Sequence, residues 1–254
     1  MPTIEKPRSF PKADRYFHTI AATVLIVLML TGFHHFYFQG RAYPGRGITP
    51  PIRGLVITHG SAMALWMLIF LVQPLLILTD NRKLHRKVGT AAAVIAAFAF
   101  LLGIKLGVEA ARVKPPGMIV DGLDAVQFMA IPVLSMLAFG GCVAAAIAYR
   151  RNPAVHRTCI LIGTLFAISA AVARIDFLTQ SYAGTVFDRI WGPFFMTLVV
   201  ALLLLALKSV LSRKLDTRLA MGCAGLGLFL AFNFQIASTA VWASVGHMLI
   251  RALG

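Results

Sequence analysis

The chain has 254 residues, of which 59% are hydrophobic and 13% charged, and it carries a formal net charge of +15. A soluble domain is about half apolar and a quarter charged, so this composition excludes a water-soluble fold and points to helices in lipid, which satisfy their own backbone hydrogen bonds. Nucleic-acid binding is excluded too: it needs a contiguous basic face, and the Lys and Arg residues here sit in short clusters between apolar runs.

Seven runs are long enough to cross a hydrocarbon core of about 30 Å. The first, near Tyr16–Phe38, follows a polar, basic leader and reads as a span rather than a cleaved signal peptide. A turn at Tyr43-Pro44-Gly45-Arg46-Gly47 leads to the second, His59–Thr79, where the Gln73 amide is expected to satisfy backbone groups freed by Pro74. Leu84-His85-Arg86 opens the third, Val88–Gly107, which begins with Gly89, Thr90, Ala91, Ala92 and Ala93. After a turn at Pro115-Pro116-Gly117, Asp121 and Asp124 start the fourth, Ala125–Tyr149, where negative charge suits a helix N-terminus. Val155-His156-Arg157 opens the fifth, Arg157–Phe177, echoing the start of the third; Gly163 and Thr164 follow. Arg174, near its far end, is placed to pair with Asp176, Asp188 or a substrate carboxylate. The sixth is Trp191–Lys208, and the seventh, Leu219–Trp242, carries Asn233 and Gln235. Gln73, Asn233 and Gln235 are more often helix–helix glue than sites. The connections are short, so residues 1–254 read as one transmembrane helical domain, an all-α bundle.

Basic residues set the orientation. Lys6, Arg8, Lys12, Arg15, Arg82, Lys83, Arg86, Lys87, Arg150, Arg151, Arg157, Lys208, Arg213, Lys214 and Arg218 fall on one side and hold most of the 24 Lys and Arg residues. The cytoplasmic face is the richer one, which puts the N-terminus inside and the C-terminus outside.

Several chemistries are absent from the sequence. Cys142, Cys159 and Cys223 lie inside apolar runs without a CxxC pair, which gives neither a disulfide framework nor a cysteine metal site. There is no HExxH, no Walker motif and no clustered histidine set of the membrane di-iron kind. The last run has no lysine for a retinal Schiff base.

The histidines carry what chemistry remains, since an imidazole inside or beside a membrane span is a functional candidate. His85 and His156 fall at the same cytoplasmic depth on the third and fifth runs. Two imidazoles so placed can clamp a haem iron from both faces, with small residues beside them giving the macrocycle room. The bland alternative is a pair of interfacial polar residues meeting lipid phosphates. His59 lies at the outer depth with His34 and His35. Only one of that pair can share a face with it, because adjacent helical residues point about 100° apart. A second haem or a transition metal could sit there, but Phe33, Phe36, Tyr37 and Phe38 also make a plain aromatic belt.

The runs His59-Gly60…Trp66…Gln73-Pro74…Leu84-His85-Arg86-Lys87-Val88-Gly89 and Pro153-Ala154-Val155-His156-Arg157…Ala171-Val172-Ala173-Arg174 resemble a family of bacterial multi-pass membrane proteins known as a domain of unknown function. That resemblance implies homology and a bacterial inner-membrane location, and it brings no established activity with it. A more distant resemblance is to the cytochrome b561 superfamily, in which four histidines on consecutive helices hold two haems. It implies a cytoplasmic-side haem on His85 and His156. The fourth run has no histidine, only Asp124 and Gln127, so the outer site matches incompletely.

The expectation is therefore a transmembrane electron carrier of the b-type cytochrome kind. Haem b would lie between His85 and His156, an outer centre on His59 with His34 or His35, and Arg82, Lys83, Arg86 and Arg157 would attract propionates or a small anionic electron donor. The competing class is a cofactor-free membrane protein: a transporter, receptor or assembly factor. A metal-dependent membrane enzyme on His34, His35 and His59 ranks third, for want of a nearby carboxylate base.

Overall fold

The computed structural model describes residues 12–48, 50–115 and 117–253, the side chains of 12–15 apart; Lys6, Arg8 and Pro116, named above, lie outside the described residues. The helices in chain order are α1 (Lys12–Gly32), α2 (His34–Gln39), α3 (Arg53–Leu78), α4 (Arg82–Val113), α5 (Ala125–Ala148), α6 (Pro153–Val172), α7 (Asp176–Gln180), α8 (Val186–Trp191), α9 (Phe195–Ser212), α10 (Thr217–Ala237) and α11 (Ala240–Leu253). No strand occurs among the described residues.

Among the described residues six helical stretches are long and apolar enough to cross a membrane: 50–78, 82–113, 125–148, 153–172, 186–212 and 217–237. The chain is thus a multi-pass helical membrane protein. The apolar part of α1, Tyr16–Gly32, and α11 are shorter. At about 1.5 Å per residue α11 reaches about 21 Å, less than the roughly 30 Å of a bilayer core.

Helix ends follow local chemistry. Asn81 caps α4, its Oδ1 accepting from Leu84 N at 3.2 Å, and Asn152 caps α6 by accepting from Val155 N at 3.4 Å. Pro153 stands in the first turn of α6, where its missing N–H costs nothing. Asp124 and Gln127 form a reciprocal capping box at α5, with contacts of 2.8–3.0 Å.

Two expected spans are interrupted. The first run does not continue to Phe38. α1 stops at Gly32, the chain turns at Phe33, and α2 leans on α3, with the Tyr37 hydroxyl donating to Gly60 O at 3.3 Å. At Gly32 the backbones of α1 and α6 nearly touch: a Cβ there would lie 1.9 Å from Ala171 O. Gly32→Ala is therefore expected to cost about 1–3 kcal/mol, because rigid backbone must move apart. Gly60→Ala, which meets only the far end of the Phe36 ring at 2.6 Å, should cost less. Denaturant titration in detergent measures both. The seventh run also breaks, at Ser238 and Thr239. Their hydroxyls turn back to Gln235 O and Ile236 O, and Thr239 Oγ1 accepts from Trp242 N to start α11. Short hydroxyl side chains compete with the helix ladder in this way. The remaining ends differ by a few residues: the third run extends to 82–113, and the fifth is 153–172, ending before Phe177.

α1, α3, α4, α5 and α6 pack in that cyclic order, each against the next, with α1 closing the ring on α6. Small residues line α4 where it meets its neighbours: Ala92, Ala96, Ala99, Gly103 and Gly107 are buried, and Gly103 faces His59 and Met136. α9, α10 and α11 form a second layer over α1, α6, α5 and α4. Hence α6 is the most enclosed span, 56% of its apolar window being buried, while α3 at 22% turns Leu65, Leu68 and Val72 outward. At mid-depth the ring interior is filled by Trp66, whose indole donates to Thr164 Oγ1 at 3.3 Å and meets the Phe139 ring edge-on at 5.2 Å.

Candidate functional site

His85 and His156 occupy equivalent places. Each is four residues past a capping asparagine and closes the first helical turn: His85 N donates to Asn81 O, and His156 N to Asn152 O. Each ring then reaches back to the antiparallel helix that precedes it. His156 Nδ1 lies 2.9 Å from Ala146 O on α5, and His85 Nδ1 makes a longer contact of 3.4 Å with Gln73 O on α3. A carbonyl only accepts, so in both rings Nδ1 bears the hydrogen and Nε2 the lone pair in the neutral form.

Gln73 departs from its expected role. Its amide does not serve the helix around Pro74; Nε2 donates to His85 O at 3.3 Å, so Gln73 and His85 clasp each other through side chain and backbone in both directions. The flanking basic residues are half in place: the Arg157 Nε–H bonds back to Pro153 O at 3.0 Å, and Arg86 lies on the exposed side of α4.

A third histidine belongs to this end and was not singled out by the sequence. His18 on α1 has a buried Nε2 without a hydrogen-bond partner among the described residues. It lies within electrostatic reach of His156, Arg157, Lys208 and Asp216, while His85 is within reach of His156. The signal available was its depth alone, since nothing in the chain ties position 18 to positions 85 and 156.

The other three candidates each have a partner of their own. His59 Nδ1 bonds to Ala99 O on α4 at 3.2 Å. His34 Nδ1 bonds to Thr31 O and His35 Nδ1 to Gln39 Oε1, both at 2.8 Å, and the two rings lie 4.0 Å apart. α2 approaches α3 through Phe36 and Tyr37. Among the described residues no three His, Cys, Asp or Glu side chains form a group suited to a metal ion. The three thiols are free.

The opposite end, where α6 meets the loops after α2 and α4, is rich in charge. Arg174 lies over the Phe33 ring at 5.2 Å and donates to Ala170 O. Neither expected acid pairs with it: Asp176 accepts the Tyr43 hydroxyl at 2.6 Å, and Asp188 accepts Gly184 N at 2.9 Å. That bond to Asp176, with some burial, holds the Tyr43 phenol above its ordinary value. Burial likewise raises the Asp121 carboxyl. A cleft of about 430 Å³ opens beside it, lined by Thr179, Gln180, Tyr182, Asp188 and Phe234. A second, apolar cleft of about 490 Å³ lies between α2 and α3 with Arg53 on its wall. Asn233 and Gln235 serve as interhelical ties, to Ile131 O and Ser135 on α5 and to Arg189 O and Ile190 O.

Comparison of the chain with protein-family models, with curated proteins and with solved structures gave no match.

Proposed function

We propose that the chain is a b-type cytochrome-like electron carrier with one haem b between His85 on α4 and His156 on α6. The matched state of these two imidazoles carries the reading. Each is oriented through an Nδ1–H bond to a carbonyl and keeps Nε2 as its lone-pair nitrogen, the arrangement that fixes tautomer and ring plane in metal-binding histidines.

The residues present fit such a group. α4 and α6 are separated by α5 in the ring, so the two histidines stand on helices that are not neighbours in it. Gly89 and the buried Ala92 and Ala96 follow His85 on α4, leaving little bulk beside it. Arg86 and Arg157 come directly after the two histidines, suited to propionates. The haem would supply one-electron redox chemistry when bound. The chain's part is to hold the two imidazoles, to lock His85 through Gln73, and to keep water out with the Trp66–Phe139 layer. The N-terminus lies in the cytoplasm in this reading, α1 is the seventh crossing, and the location is a bacterial inner membrane. Arg82, Lys83 and Arg86 then face the side from which a small anionic donor would come. The proposal does not extend to an outer centre on His34, His35 and His59.

The purified full chain is expected to yield an α-band of the b type on dithionite reduction and haem extractable into pyridine. His85→Ala or His156→Ala should abolish both, and His59→Ala should leave them. Folded protein without haem, or spectra indifferent to the double substitution, overturns the reading. One observation favours the competing class of cofactor-free transporter, receptor or assembly factor: the Trp66, Phe139 and Thr164 contact closes the ring interior at mid-depth. Under that reading the double variant keeps the absorption of the parent.

A further inference from the structure

A cationic cluster lies at the Arg174 end, away from the histidine pair. Arg174 follows α6, Lys114 caps the C-terminus of α4, and Arg46 sits in the loop after α2. The turn after α2 touches both neighbours, with Tyr43 lying under Arg174 and Arg46 against Met118 in the loop that follows Lys114, and Lys114 feels the charge of both arginines. Among the described residues none has a carboxylate at ion-pair distance. Their contacts are aromatic, sulfur or backbone. Arg174 faces Phe33 at 5.2 Å and Tyr43 at 5.9 Å, Lys114 Nζ lies 3.9 Å above the Phe128 ring, and Arg46 reaches Met118 Sδ at 4.0 Å.

The acids nearby are engaged or outnumbered. Asp176 holds the Tyr43 hydroxyl, and Asp124 caps α5. Asp121 is a carboxylate whose charge reaches both Lys114 and Arg174. Lys114 and Arg174 are partly buried on aromatic faces without a contacting anion, which is costly, and a shared anion offsets that cost; Arg46 is exposed at the rim. A group with several charged oxygens can engage more than one of these cations at once, which a carboxylate does less well.

We propose that Arg46, Lys114 and Arg174 form a phosphate-binding site, for a phospholipid headgroup or a soluble phosphate ester. The site does not depend on the haem reading. Burial, with Arg46 and Arg174 beside it, lowers the Lys114 amine to about 8, against the pull of Asp121 and Asp124. A bound anion favours the charged amine, so affinity is highest below that value and falls as pH rises through it.

The test uses full-length protein, delipidated in neutral detergent. Inorganic phosphate is titrated by calorimetry, and phosphatidylglycerol retention is followed by native mass spectrometry. Binding in either arm at pH 7 is expected, with Arg174→Gln and Lys114→Met each weakening it about tenfold, the size of one lost charge-assisted hydrogen bond. Lys114→Arg should keep binding but remove the decline between pH 7 and pH 9, which controls for misfolding of the other variants. Retention of the lipid alone assigns the headgroup, and phosphate binding assigns a soluble ester. Binding in neither arm, binding unchanged by the substitutions, or acetate binding as tightly as phosphate overturns the proposal.

Discussion

Asp216→Ala is expected to destabilise the protein by about 3–5 kcal/mol, the range for breaking a buried ion pair by removing one partner. Lys208 Nζ lies 2.6 Å from Asp216 Oδ2, and the lysine side chain is only 7% exposed. The Phe17 ring, 5.4 Å from the lysine Nζ, softens but does not neutralise the charge. Asp216 also caps α10 by accepting from Leu219 N at 3.0 Å, so the substitution removes a counterion and a cap together. Asp216→Asn keeps the cap and loses the charge, and Lys208→Met leaves a quarter-exposed carboxylate that still caps; both should cost less. Burial pushes the Asp216 carboxyl up, but hydrogen bonds from Lys208 and Leu219 N and the lysine charge outweigh it and hold the group below its ordinary value. A depressed carboxylate stabilises at neutral pH and loses that contribution as pH falls through its folded value. Unfolding midpoints in detergent should thus fall more steeply toward acid for the parent than for Asp216→Asn. Equal midpoints for Asp216→Ala and Lys208→Met would count against the pair.

Trp66→Ala should be comparably damaging, at about 3–5 kcal/mol, because it empties a large buried volume in the middle of the ring. The residue is 3% exposed and is the tie from α3 across to Thr164 on α6 and Phe139 on α5. Trp66→Phe keeps most of the volume and loses the hydrogen bond, which in a membrane interior is worth about 0.6 kcal/mol on average. The contrast separates packing from polarity. If both substitutions cost alike, the hydrogen bond dominates and the filled-core argument fails. Unfolding titrations of the three proteins decide it.

The membrane spans were readable because a bilayer selects on a one-dimensional property, an unbroken apolar run. The matching positions of His85 and His156 at their helix starts were readable as well, since His85-Arg86 and His156-Arg157 open their helices in the same way. The interruptions were not. The stop at Gly32 depends on how closely α6 passes, which no local pattern in α1 encodes. The break at Ser238 and Thr239 depends on hydroxyls that elsewhere, as at Thr58 and Thr90, bond to the preceding turn without ending the helix. Gln73 was placed by its neighbour Pro74, whereas the direction of its side chain sends it to α4. Arg174 stood out alone, but Arg46 and Lys114 are far from it in the chain and only the loops bring them together. Asn81 and Asn152 were in plain view, four residues before each histidine; the carbonyls that receive the imidazoles lie on the preceding helices and leave no mark in sequence.

That last device has a bearing on biogenesis. In each of the α3–α4 and α5–α6 hairpins, the asparagine cap, the turn and the imidazole-to-carbonyl tie involve only residues of the hairpin itself. Each can close as soon as its two helices leave the insertion machinery, before the ring has its other members. Neither latch needs any other member of the ring.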